Sequence, residues 1–181
     1  MAVYTKISKK DISYINSKFD MEELISFQGI KQGIENTNYL LKSKKNKFIL
    51  TIFEKRVSDK ELPFFMQLMQ ILNHYKINCP KPIKNNEGSY LINLKNKKAC
   101  IVTFLEGKDK KNLNIKNCFE IGKIIARMHS ITKNIKLYRK NSMGINNLYP
   151  LLKLIMLKSK KFNYLEKFLK NNLNNIKKKW P

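Results

Sequence analysis

Residues 27–38 place two of the chain's six glycines, Gly29 and Gly33, four apart in a polar stretch that also carries Lys31, Asn36, Thr37 and Asn38. Glycine has no Cβ, so a bend built on it folds tightly and lets the backbone come close to a ligand. Amides turned to one side of such a bend form an anion-binding concavity. The chemistry this suits is recognition of a phosphate tail, with Lys31 adding positive charge. The short polar side chains at 36–38 either touch the phosphate or cap the bend. The pattern by itself fits a glycine-bulged hairpin equally well.

The other chemistry-bearing residues are sparse. Cys79, Cys100 and Cys118 are isolated and lack any CxxC spacing, which argues against a zinc site and a disulfide framework and fits a reducing cytoplasm. His74 and His129 are the only histidines. His129 closes an apolar helical pattern with no Cys, Asp or Glu at ligand spacing, so it reads as a core histidine; His74 reads as solvent-facing. No metal-ligand set stands out.

The elements that position the glycine stretch follow from periodicity. Strand patterns run over 24–30, 38–42 and 47–53, with a hairpin turn at 43–46. Before them, 8–16 reads as a short helix with Ser8 as N-cap and Ile12 and Ile15 as its buried stripe. A helix over 62–75 starts with Pro63 and carries Phe65, Leu68, Met69 and Leu72 on one face. The Cys79-Pro80-Lys81-Pro82 run forces an extended segment, Glu87-Gly88 a turn, and 90–94 and 99–104 a second hairpin about 95–98. A helix over 116–131 aligns Ile121, Ile124, Ile125 and Met128. Residues 142–150 mark a loop, and 151–180 are mostly helical with Phe162, Leu165, Leu169, Leu173 and Ile176 as a seam. No internal repeat is present.

The totals narrow the class. A chain of 181 residues with 43% hydrophobic content builds a core and is no disordered tail. The formal charge of +24 first suggests nucleic acid or an anionic membrane. Only Arg56, Arg127 and Arg139 among the 37 basic residues are Arg, however, and bidentate nucleic-acid contacts favour Arg. Lys, 22 Asn and many Ile are spread end to end, which matches A/T-rich codons better than a binding patch. Residues 1–10 contain no apolar run, which reads as no signal peptide, and no stretch approaches the roughly 18 apolar residues of a membrane span.

With the order β-β-β-α-β-β in place, the residues resemble the aminoglycoside phosphotransferase superfamily of protein-kinase-like small-molecule kinases. Within it the chain is most similar to the homoserine kinase branch. The resemblance rests on Met1-Ala2-Val3-Tyr4-Thr5, on 29–38 as nucleotide loop and on 48–57 followed by Leu62-Pro63-Phe64-Phe65. It also rests on Thr103-Phe104-Leu105-Glu106-Gly107 as hinge, and on 121–129, which matches the widely shared Gly-x-x-Leu-Ala-x-Leu-His helix. It covers the whole chain but only about the first half of such an enzyme.

The resemblance implies an α+β fold: a kinase-like small lobe over 1–106, a five-stranded antiparallel sheet plus one helix, then the first helices of an incomplete α-helical large lobe over 107–181. It implies ATP and Mg²⁺ as cofactors, and transfer of phosphoryl to L-homoserine in threonine biosynthesis. The Gly29–Asn38 bend would cover the phosphates, and Phe104, Leu105 and Glu106 would read the base through their backbone. Thr51 stands near the third-strand position where protein kinases carry a Lys. Lys55 or Arg56 then becomes the substitute cation, or a solvated turn charge, with Glu54 or Glu61 as its acidic partner. The family's His-x-Asp-x-x-x-x-Asn catalytic loop is not among these residues, so the resemblance implies that catalytic and metal-binding residues lie in a missing C-terminal half. The isolated chain is then expected to be inactive and its outer helices to expose apolar faces. Two alternatives stay open: a choline, methylthioribose or aminoglycoside acceptor, and a basic nucleic-acid-binding module.

Overall fold

The computed structural model describes residues 3–141 together with 144, 147, 150, 151, 154 and 172. The expected 142–150 loop and 151–180 helix lie, apart from those single positions, outside the described residues. Contacts divide the chain into a compact unit Met1–Tyr138 and a second unit Arg139–Pro181.

The first unit is built on one antiparallel sheet of β1 (Ser26–Gly29), β2 (Thr37–Lys42), β3 (Lys47–Ile52), β4 (Ile92–Leu94) and β5 (Lys97–Thr103). Their order in the sheet is β1-β2-β3-β5-β4. Three helices accompany it: α1 (Lys9–Lys18), α2 (Leu62–His74) and α3 (Ile115–Thr132). Among the described residues no helix is long and apolar enough to cross a membrane.

Side chains alternate across a strand, so each strand serves two faces. One face is covered by α1. Ile12, Ile15 and Phe19 pack there against Tyr39, Leu41, Leu50, Ile52 and Ile101. α1 starts as its sequence dictates: the Ser8 backbone N–H donates to the Asp11 carboxylate, 2.7 Å, at the helix N-terminus. The α2 face is thinner. Met66, Cys100 and Val102 are its buried members, with Ile49, Phe53, Phe65 and Met69 around them. Met66 is more buried than Phe65, Leu68 and Met69, so the expected α2 stripe is rotated towards it. Burial also pushes the Cys100 thiol up to about 12, which keeps it protonated and inert.

One turn differs from expectation. β4 and β5 are joined by Lys95 and Asn96 alone, both left-handed at φ 51° and 58°. A two-residue turn of that hand matches strand twist, so β5 begins at Lys97 rather than residue 99. After Pro80, the extended segment pairs antiparallel with the C-terminal half of β5, on the same side of that strand as β4. The Thr103 N–H donates to the Lys81 carbonyl, 3.0 Å, and the Ile83 N–H to the Ile101 carbonyl, 2.9 Å.

α3 is amphipathic but has no buried residue. Ile121, Ile124 and Ile125 are 46%, 51% and 46% exposed, and Phe119 is 68% exposed, so its apolar stripe faces outward as expected. His129 is exposed rather than a core residue, because the helix face that carries it is itself uncovered. The Arg127 guanidinium donates to the Tyr75 carbonyl, 2.8 Å, at the end of α2.

Candidate active site

The expected site residues gather at two ends of the same strands. The glycine loop joins β1 to β2 at the end where Thr37 pairs with Ile52 and Ile52 with Ala99. Phe104, Leu105 and Glu106 leave β5 at the other end, where Thr103 pairs with Phe48. β2 and β3 are six residues each, about 17 Å of strand between the two ends. That separation suits a ligand with a planar base at one end and a charged tail at the other.

At the loop end, Gly33 has φ 106°, a conformation that side chains strain. Gly29 has a different reason to be glycine. A Cβ there would lie 3.0 Å from a Val3 methyl, so the N-terminal segment takes up the space. Lys31 is exposed in the loop. The Asn36 carbonyl oxygen of the side chain accepts from the Glu54 N–H, 3.3 Å. The Arg56 guanidinium pairs with Glu35 across the loop's base. Lys55 is exposed beside it and shares with Tyr4, Ile34, Glu54, Arg56 and Lys97 a cleft of about 520 Å³.

Strand alternation then sorts the three polar residues at the loop's exit. Asn38 and Thr51 are cross-strand partners, and the Thr51 hydroxyl donates to the Asn38 side-chain oxygen, 2.8 Å. Both lie on the α2 face of the sheet. Thr37 points to the opposite face and is fully buried. Its hydroxyl accepts from the Tyr4 and Thr5 backbone N–H groups at 2.9 and 3.1 Å and donates to Glu54 at 2.6 Å.

Glu54 is therefore not the partner of Lys55 or Arg56. Its side chain is 9% exposed and pairs with Lys97, a residue that the sequence left inside a turn. Burial pushes the Glu54 carboxyl up, but the Lys97 ammonium and the Thr37 and Thr5 hydroxyls outweigh it and hold it below the ordinary carboxylate range. Glu61, the other acidic candidate, accepts from the Ser58 N–H in front of α2, 3.4 Å. Lys97 was legible only through the two-residue turn: once β5 starts there, alternation sends its side chain to the face of Glu54.

At the far end, Phe104 N–H donates to the Lys47 carbonyl, 3.3 Å, and Lys47 Nζ pairs with Glu106 at 2.7 Å while standing 5.3 Å from the Phe104 ring centroid. The strand exit is thus tied to the start of β3. Among the described residues no group of three His, Cys, Asp or Glu side chains stands ready to hold a metal ion.

A five-stranded antiparallel sheet with a glycine loop over one end, a helix against each face and a strand exit leading to a further helix is the small lobe of the protein-kinase-like fold. Solved structures agree on that fold. A spectinomycin phosphotransferase solved with ADP and spectinomycin superposes with TM-score 0.63 at 16% identity, over 96% of this chain and 56% of that one. An amicoumacin kinase solved with AMP-PNP and Ca²⁺ gives 0.62 at 15% identity, over 93% and 54%. The model of the phosphotransferase enzyme family matches residues 26–181, and the chain belongs to that family. It is 40% identical over 151 residues to the homoserine kinase of Bradyrhizobium diazoefficiens, which is 83% of this chain and 46% of that enzyme. It is 34% identical over 182 residues to the homoserine kinase of Paramagnetospirillum magneticum, 100% of this chain and 56% of that one. The chain spans about half the length of the curated relatives it matches.

Proposed function

We propose that these residues are the nucleotide-binding part of an ATP-dependent homoserine kinase, acting in the cytoplasm. The reaction moves the γ-phosphoryl of MgATP to the side-chain hydroxyl of L-homoserine, giving ADP and O-phospho-L-homoserine. The observation that carries the nucleotide reading is the placement of a left-handed glycine loop and a tethered strand exit at opposite ends of β2 and β3, on a chain 34–41% identical to homoserine kinases. The acceptor follows from those relatives alone.

In such a transfer the protein's work is positioning and charge neutralisation. The amides about Gly33 face the phosphates, with Lys31 and Lys55 as nearby cations. Asn38 and Thr51 stand under the tail on the sheet face, where a hydroxyl replaces the usual third-strand ammonium. The backbone of 104–106 meets the base. Mg²⁺ neutralises phosphate charge when bound; its ligands, and the base that accepts the homoserine proton, are assigned to residues outside this chain.

Calorimetric titration with Mg²⁺ and AMP-PNP tests the nucleotide reading, and a coupled ADP-release assay with L-homoserine tests the division of labour. The expected result is binding without turnover. No heat of binding overturns the nucleotide reading. Turnover with homoserine would show that the chain holds its own catalytic base, and turnover only with choline, methylthioribose or an aminoglycoside would overturn the acceptor.

A further inference from the structure

We infer that the N-terminal segment 3–7 is a positioning strap that sets the glycine loop for nucleotide, with Tyr4 as its key residue; this rests on the nucleotide reading above. The segment crosses the face of the sheet opposite Asn38 and Thr51 and ties down each root of the loop. At the β1 root, Val3 fills the space that a side chain at Gly29 would need, 3.0 Å from the Cβ position. At the loop itself, the Tyr4 hydroxyl donates to the Ile34 carbonyl, 3.0 Å, next to the left-handed Gly33. At the β2 root, the Tyr4 and Thr5 amides both donate to the buried Thr37 hydroxyl.

Beneath these contacts Glu54 acts as the anchor. It accepts from the Thr37 hydroxyl at 2.6 Å and the Thr5 hydroxyl at 2.8 Å, and it pairs with Lys97, which also donates to Thr5 at 2.7 Å. A loop of seven residues between strands samples many conformations unless it is tied, and ordering it on binding costs affinity. Ile34 is 82% exposed, so no apolar packing of its side chain does the ordering. The bond from Tyr4 ties the middle of the loop, while the Arg56–Glu35 pair and the Glu54 N–H to the Asn36 side chain tie only its β2 end. The strap thereby lowers the ordering cost of nucleotide binding without touching the nucleotide.

Tyr4→Phe removes one hydroxyl from a side chain that is 56% exposed, so the fold is retained and the melting temperature should stay at the wild-type value. Hydrogen exchange of the amides at 33–36 should accelerate by about threefold to tenfold, the loss of one net hydrogen bond. The dissociation constant of AMP-PNP should weaken by a similar factor. Gly29→Ala, which pushes Val3 away, should act in the same direction. Unchanged exchange at 33–36 in Tyr4→Phe overturns the strap. Faster exchange with unchanged AMP-PNP affinity overturns its role towards nucleotide. If the wild-type chain itself fails to bind AMP-PNP, the nucleotide reading falls and that role falls with it, while the exchange data still decide separately whether the strap holds the loop.

Discussion

The two faces of the sheet are made from the same strands and differ in what they are for. The α1 face is apolar over most of its extent: Ile15, Leu41, Leu50, Ile52 and Ile101 are fully buried, and the Glu54 carboxylate at its loop end is held by the Thr5 and Thr37 hydroxyls and Lys97. The α2 face is apolar only under α2 and turns polar towards the glycine loop, where Asn38 and Thr51 pair with each other. A strand that alternates Leu50 with Thr51 therefore buries an apolar side chain on one face and sets a hydrogen-bonded polar pair on the other, the face to which the proposed function assigns the nucleotide. The difference teaches that direct contact with the proposed nucleotide and burial in the core fall to residues of opposite parity.

Leu50→Ala should break that separation most severely. It empties a fully buried site and should cost about 2–5 kcal/mol, read as a lowered urea midpoint. Ile49→Ala, one residue away on the half-buried face, should cost clearly less; equal losses would mean that the two faces carry equal weight. Gly33→Val should show the converse pattern. A β-branched residue at φ 106° strains the loop by about 1–2 kcal/mol, and AMP-PNP affinity should fall by roughly tenfold or more while the core stays intact. Affinity equal to wild type would remove the loop from the account.

Acid sharpens the comparison further. The folded-state carboxyl of Glu54 is depressed: burial opposes ionisation, but Lys97 and the two threonine hydroxyls prevail. Asp11 is depressed as well, against its own burial, by Ser8 and Lys95. A depressed folded pKa contributes stability that is complete above the unfolded value and is lost as pH falls through the folded one. Melting temperature should therefore be flat above about pH 5 and drop below the unfolded carboxylate range near pH 4.5. Glu54→Gln should flatten part of that drop; an unaltered acid slope would place the linkage elsewhere. The smallest effect belongs to Lys47→Met. Its ion pair with Glu106 is exposed on both sides, so stability should move by at most about 1 kcal/mol, and by less as added salt screens the pair.

Much of this lobe was legible in the residues. β2 and β3 announce themselves as short apolar β-type runs, Ser8 and Pro63 mark helix starts, and Gly33 marks a tight bend. What the sequence hid were relations between distant segments. Gly29 looks like Gly33 on paper, but its missing side chain makes room for Val3. Thr37 looks like Asn36 and Asn38, yet parity turns it to the buried face. Glu54, one of two acidic candidates beside Lys55 and Arg56, pairs with Lys97. That pairing depends on a turn of two left-handed residues, neither of them Gly, which no short motif signals. The exposed stripe of α3 follows from the resemblance to half of a longer enzyme and not from periodicity, which reports an apolar face and not what covers it.

The central claim is the location of the nucleotide. Backbone amide chemical shifts of the isotopically labelled chain, followed during titration with Mg²⁺ and AMP-PNP, test it directly. The account predicts saturable shifts at 31–36 and 104–106, with smaller ones at Asn38 and Thr51, and none along α1. Shifts confined to other segments, or a titration that leaves 31–36 unmoved while nucleotide binds, would contradict it.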